Sequence, residues 1–170
     1  MIFTKTKNVQ SPRRANPTDA GIDFFVPEYS DELSDIIECK SMNVHNVNER
    51  GIFMAPGDNI MIPLGIKVMV DSGTALVAFN KSGVASKKGL LVGASVIDEG
   101  YEGECHLNLI NPTSAPQVIE WDSKIIQFIQ LKIDQHTPSE ITEEEYAELC
   151  KRENVNTTRG SGGFGSTGVK

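Results

Sequence analysis

The residues best suited to chemistry crowd the end of the chain. Arg159-Gly-Ser-Gly-Gly-Phe-Gly-Ser-Thr-Gly168 holds five of the protein's 15 glycines. Such a run builds neither helix nor packed strand, because glycine loses the most backbone freedom on ordering. Two readings stand. One is a flexible Gly/Ser tail with no role. The other is a lid: glycines let backbone N–H groups approach an anion closely. Arg159 and the hydroxyls of Ser161, Ser166 and Thr167 add charge-assisted bonds, and Phe164 offers a face for stacking on a ring. The spacing is not GxxxxGK[ST], so this is no Walker loop.

Other polar residues read more plainly by themselves. Asp98, beside Gly100, has the setting of a hairpin-turn acid. Asp19 and Asp23, near Pro17 and Gly21, have the setting of turn residues, and Ser82-Gly83 is a common turn pair. Lys124 and Gln127, at i and i+3 in a strand, are expected on opposite faces. Cys39, Cys105 and Cys150 show no paired-ligand spacing with one another or with His45, His106 and His136. A zinc site is therefore not expected, and the reading is three reduced thiols in a cytoplasmic protein (host cytoplasm if viral). His45 and His136 read as surface loop residues.

The elements that position these residues read mostly as strands. Ile66–Val70 has its β-branched residues at every second position, and His106–Ile110 repeats the period with Leu107 and Leu109. Thr74–Phe79, Leu91–Ile97, Val118–Trp121 and Ile125–Ile133 are further apolar runs of strand length. Turn signals separate them at Pro56-Gly57-Asp58, Asp71-Ser-Gly73, Asn111-Pro112 and Asp122-Ser123. Short, evenly punctuated strands without βαβ alternation predict an all-β, jelly-roll-like sandwich or barrel. The polar segment 28–50 reads as an insertion or long loop with a short helix around Asp31–Ile37. Thr142 and Glu145 fit a capping box, predicting a helix over 142–153. The expected organisation is a β-domain at 1–134, a connector at 135–158 and a lid tail at 159–170.

A chain of 170 residues with 39% hydrophobic and 23% charged residues is an ordinary globular domain. Net charge −7 and pI near 5.0 argue against bulk binding to nucleic acid or anionic membranes. A small polyanion site built from a few local donors remains compatible. The apolar stretch 60–70 is interrupted by Pro63 and Lys67 and is too short to span a bilayer.

Five segments in order carry a family resemblance: Asp19-Ala-Gly-Ile-Asp23, Lys81-Ser-Gly-Val-Ala85, Val96-Ile-Asp-Glu-Gly-Tyr-Glu-Gly-Glu104, Lys124-Ile-Ile-Gln127 and the Gly-rich tail. Together they resemble the motifs of the trimeric all-β dUTP pyrophosphatases (dUTPases). The family typically has Pro-Arg-Ser-Gly at the second, against Asn80-Lys81-Ser82-Gly83 here. It often has Arg at the start of the fourth, against Lys124 here. Both changes keep the charge and lose the bidentate fork.

The resemblance implies hydrolysis of dUTP to dUMP and pyrophosphate with Mg²⁺, limiting uracil in DNA and supplying dUMP for thymidylate synthesis. Asp98 would orient and deprotonate the attacking water. Tyr101 would pack under the deoxyribose, excluding a 2′-hydroxyl. Backbone groups around Ser95 and His106 would read uracil. Ser82, with Gly83 and the nearby Lys81, would bind the phosphate chain. Asp23 would hold a water on Mg²⁺, touching the metal only indirectly. Gln127 would position phosphate or water beside Lys124. In the tail, Phe164 would stack on uracil, while Arg159, Ser166, Thr167 and the backbone of Gly162, Gly163 and Gly165 would close over the phosphates.

The resemblance also implies a homotrimer with sites at subunit boundaries and the tail reaching a neighbour's site. Two other readings compete. One is a dCTP deaminase of the same fold, disfavoured by Tyr101 and by the absence of an acid in His106–Ile110. The other is a protein acting mainly through a partner bound at segment 28–50.

Overall fold

The alternation of Ile66-Lys-Val-Met69 does what its period demands: Ile66 and Val68 are buried, Lys67 and Met69 exposed. The computed structural model describes residues 1–41 and 46–153. In chain order the elements are β1 (Ile2–Lys5), β2 (Ile22–Phe24), α1 (Asp31–Lys40), β3 (Val47–Asn48), β4 (Gly51–Met54) and β5 (Asn59–Pro63). There follow β6 (Ile66–Met69), β7 (Thr74–Asn80), α2 (Ser82–Lys88), β8 (Leu91–Val92) and β9 (Val96–Ile97). The rest are β10 (His106–Ile110), β11 (Gln117–Ile119), β12 (Ile126–Lys132) and α3 (Glu143–Arg152).

The strand pairs are antiparallel and form sheets of order β1-β6, β5-β10-β8, β11-β4-β3 and β2-β12-β7-β9. Neighbours distant in sequence, such as β2 with β12 and β5 with β10, are the crossovers of the expected all-β jelly-roll sandwich. The inward faces meet in one core, where the Phe24 and Phe128 rings pack tilted at 4.6 Å. Residues Met1–Asp134 form one compact unit, and the described residues from Gln135 to Glu153 belong to a second. In the second, the capping box of α3 is realised. Glu145 N–H donates to the Thr142 hydroxyl at 3.2 Å, and Thr142 N–H donates to the Glu145 carboxylate at 2.8 Å. No helix among the described residues is long and apolar enough to cross a membrane.

Three expectations need correction. The run Leu91–Ile97 is two short strands, β8 and β9, parted at Gly93–Ser95. The Ser82-Gly83 pair opens helix α2, whose stop signal was legible as Lys87-Lys88-Gly89, with Gly89 in the left-handed conformation. Segment 28–50 is no loop laid over a finished sandwich. Its helix runs three residues past the expected end, and Leu33 and Ile37 are 1% and 0% exposed. Ser30 caps α1 by accepting from Leu33 N–H at 3.2 Å. The Ser34 hydroxyl donates to the Val47 carbonyl, and Met61 N–H donates to the Ser41 hydroxyl, both at 3.0 Å. The segment is thereby tied to β3 and β5.

Beyond its pairing with β6, the N-terminal stretch is held by the Glu104 carboxylate. Glu104 accepts from Lys7 at 2.6 and 2.7 Å, from Gly65 N–H at 2.6 Å and from the Thr6 hydroxyl at 3.2 Å. Burial pushes its pKa up, but the Lys7 bond and charge, the Gly65 N–H and the Thr6 hydroxyl outweigh burial and hold it below the ordinary value.

Replacing Leu33 or Ile37 by Ala should lower stability by about 2–5 kcal/mol in urea denaturation; a change within about 0.5 kcal/mol would mark the helix as an appendage. Glu104→Gln should be less stable than the parent at pH 7. Because the folded-state pKa is depressed, the parent's advantage is full above the ordinary 4.5 and disappears as pH falls through the lower folded value. Melting temperatures of both proteins from pH 7 to pH 3 test this; a gap that stays constant with pH contradicts it.

Candidate active site

A cavity opens where two strands stop pairing. β10 pairs with β8 at Leu109↔Val92 and Ile110↔Leu91, and one more bond joins Gly93 N–H to the Asn108 carbonyl at 3.0 Å. Past that bond the chain crosses to β7, where Ala78 N–H donates to the Ser95 carbonyl at 2.7 Å. Asn108, only 8% exposed, makes the parting. Its Oδ1 accepts from Ala94 N–H at 3.1 Å, and its amide nitrogen donates to the Ile60 carbonyl at 3.0 Å and to Asn59 Oδ1. A Cβ on Gly93 would collide with this amide, so only glycine fits there. The resulting cavity, of about 590 Å³, is lined by Ser95, Asp98, Tyr101 and His106 among others.

Asp98 and Tyr101 reach it from one turn. Tyr101 N–H donates to the Asp98 carbonyl at 3.2 Å, and Gly100 takes φ +82°, the arrangement of a type II turn. Asp98 is thus the turn acid its setting indicated, and its carboxylate stands exposed at the cavity. The Tyr101 hydroxyl donates to the Glu104 carbonyl at 3.2 Å, which fixes the ring against the wall.

The strand register settles which backbone edge faces inward. His106 lies opposite Pro63, and the adjoining Leu64 N–H donates to the Cys105 carbonyl at 2.9 Å. Hydrogen-bonded and non-bonded pairs alternate, so His106 is at a non-bonded position toward β5. Its N–H and C=O therefore point to the same side as those of Asn108, toward the parted strand. Proline opposite costs nothing at such a position. Ser95 differs from its expected use: it lines the cavity, but its carbonyl is committed to Ala78.

A second cluster surrounds Asp23. This residue is no turn acid; it lies in β2 between β12 and Arg13, opposite Gln127, and is 6% exposed. One carboxylate oxygen pairs with Lys81 Nζ and the other lies 3.3 Å from Lys124 Nζ. β12 starts at Ile126, so Lys124 precedes it and strand alternation does not separate it from Gln127. Both line one pocket of about 330 Å³ with Asp19, Asp23 and Lys81. Gln127 donates to the Asn80 carbonyl at 3.0 Å. Asp19 is a turn residue, accepting from Asn16 N–H at 2.8 Å. Ser82 and Gly83 follow Lys81 in the first turn of α2.

Among the described residues no group of three or more His, Cys, Asp or Glu converges on a metal position. Arg159, Gly162, Gly163, Phe164, Gly165, Ser166 and Thr167 lie outside the described residues, as does His45. His136 is exposed, as expected. Lys40 and Asn108 were missed as wall residues of the cavity. Nothing local marks them: Lys40 arrives from a distant helix, and Asn108 reads as one polar residue in a strand.

Comparison with known proteins gives the family and the fold. The dUTPase family profile matches residues 47–168. The deoxyuridine 5′-triphosphate nucleotidohydrolase of Mycobacterium sp. (strain JLS) is 31% identical, covering 98% of this chain and 93% of that protein. A mutant dUTPase of Staphylococcus bacteriophage 80alpha, solved with dUpNHpp, superposes with TM-score 0.73 at 21% identity, covering 99% of this chain and 98% of the other. A mutant dUTPase from phage phi11 of S. aureus, whose structure reveals the coordination of a structural Mg(II) ion, gives TM-score 0.61 at 18% identity, covering 85% and 97%. The profile, the near full-length identity and the strand topology together make this chain a member of the dUTPase family.

Proposed function

We propose that the protein hydrolyses dUTP to dUMP and pyrophosphate in the cavity between β8 and β10. The observation that carries this is the meeting of Asp98, Tyr101 and the inward backbone edge of His106 in one cavity. Uracil presents a ring N–H beside ring carbonyls. It matches a backbone C=O next to an N–H, whereas cytosine presents an acceptor at that ring nitrogen. Tyr101, fixed by its bond to the Glu104 carbonyl, packs against the sugar and leaves no room for a 2′-hydroxyl. Asp98 accepts the proton of the attacking water and holds it in line with the phosphorus, and pyrophosphate departs on the far side. A carboxylate exposed at a turn suits this task because water reaches it freely.

The described residues form no cage for Mg²⁺, and the family chemistry does not need one. Mg²⁺ takes phosphate oxygens and keeps its waters. Asp23 fits as an acceptor for one such water once a lysine leaves its carboxylate. Bound on the triphosphate, the ion would supply positive charge to offset what builds up on the departing pyrophosphate. Lys81 and Lys124 then move from Asp23 to phosphate oxygens, with Ser82 and the Gly83 backbone beside them and Gln127 positioning a phosphate or water. Arg159, Phe164, Ser166, Thr167 and the glycines at 162, 163 and 165 close over the nucleotide as a lid.

We also propose a homotrimer with shared sites. Phe128 lines the cavity, while its neighbours Gln127 and Ile129 line the Asp23 pocket, so the two lie across the sheet from one another. A nucleotide in the cavity meets the lysines when another copy supplies them. Apolar side chains left outside, Ile2 and Met69 at 69% and Val96 at 59% exposure, suit contacts between copies. A protein partner at segment 28–50 would meet the outward acids Asp31, Glu32 and Asp35, which remain exposed. Three free cysteines support a cytoplasmic location. Burial pushes the Cys105 thiol up to about 12, so it is inert at the cavity wall.

Pyrophosphate release with Mg²⁺ should be strong for dUTP and weak for UTP, dCTP and dTTP; equal rates, or ammonia from dCTP, would sink the reading. Asp98→Asn should bind the imido analogue of dUTP while turnover falls by about 10²–10⁴; unchanged turnover removes Asp98 from the chemistry. Asp98→Asn and Lys81→Ala proteins, each nearly inactive, should recover activity when co-expressed. No recovery would mean that each copy carries a complete site.

A further inference from the structure

Segment 28–50 also delivers a charge to the cavity. Lys40 is the last residue of α1 and, among the described residues, the only lysine or arginine in the cavity wall. Its Nζ lies 3.0 Å from His106 Nε2, and His106 Nδ1 lies 2.8 Å from the Glu104 carbonyl. A carbonyl only accepts, so Nδ1 carries the proton and Nε2 accepts from the ammonium. The imidazole is held at both nitrogens, on the residue whose backbone edge faces the cavity. Among the described residues His106 is the only hydrogen-bond partner of Lys40. An ammonium has three N–H donors, so two are left uncommitted among the described residues. The competing charge in the wall is already matched, since the Glu104 carboxylate is held by Lys7. Asp98 stands on the turn after β9.

We infer that Lys40 is a base-specificity residue: its remaining donors meet a pyrimidine carbonyl at the ring edge read by the His106 backbone. The inference rests on the cavity being the uracil site. A carbonyl accepts from an ammonium. An exocyclic amino group, as on cytosine, sets its own N–H donors against it and is rejected, because an unmatched polar group in a closed site is costly. The role belongs to the inserted helix and to none of the five motif segments.

The test uses Lys40→Met, which keeps the stem and removes the donors, and Lys40→Arg, which restores donors and charge. Pyrophosphate release from dUTP and dCTP gives kcat and KM separately, and the ¹⁵N signals of the His106 ring report its tautomer in the substrate-free protein. Lys40→Met should raise KM for dUTP about tenfold with kcat within about twofold, and narrow the preference for dUTP over dCTP. Its melting temperature should stay unchanged, and Lys40→Arg should recover most of the loss. The parent ring should show the Nδ1–H tautomer, with the Nε2 signal shifting in Lys40→Met. Unchanged KM and preference in Lys40→Met, or a fall in kcat at constant KM, overturns the inference while leaving dUTP hydrolysis standing. A parent protein inactive on dUTP overturns the functional reading and this inference with it.

Discussion

The site depends on a strand pair that is made to stop. β8 and β10 pair over two residues and are then pried apart by the buried side chain of Asn108, which passes the place where Gly93 has no Cβ. Continued pairing would close the sheet and leave no space for a ring. Parting alone would leave backbone donors and acceptors without partners, which is costly in an interior. Asn108 meets this by bonding Ala94, Ile60 and Asn59. The released strand meets it by pairing with β7. The cavity is therefore a property of the hydrogen-bond ladder.

Charge follows the same logic of prior satisfaction. The protein is acidic overall, with net charge −7, yet Lys81 and Lys124 converge on one buried carboxylate. A carboxylate so enclosed is tolerable only when paired and hydrogen-bonded. Asp23 thus holds two cations in place. Lysine can hold such a position as a point charge on a flexible stem, with no planar fork to align.

Segment 28–50 shows where local reading fails. Its acids and lack of clean period made it look like an insertion, and its outer face is indeed polar. Two apolar residues one turn apart, Leu33 and Ile37, were enough to anchor it in the core. Helix α2 was legible by its Lys-Lys-Gly ending but was obscured by the Ser-Gly pair that opens it. The single run 91–97 hid a break, since an apolar pattern does not report which neighbour a strand pairs with. The capping box of α3, the alternating patterns of β6 and β10 and the apolar run of β12 were legible because each depends only on residues a few positions apart.

By itself the sequence determined the strand runs from Ile66 onward, the turn acid at Asp98, a helix over 142–153 and the set of motif residues, because periodicity, turn chemistry and motif order are local; strands β1 to β5 came only with the structure. Only the tertiary structure decided what stands together. It placed Lys124 beside Gln127, since the strand begins after Lys124. It turned Asp23 from an apparent turn residue into a buried counter-ion. It committed the Ser95 carbonyl to β7 while aiming His106 inward, because ladder alternation is set by the partner strand. It carried Lys40 from a remote helix to the cavity wall. Pairing register and long-range packing make those choices, and neither is written in any short stretch of the chain.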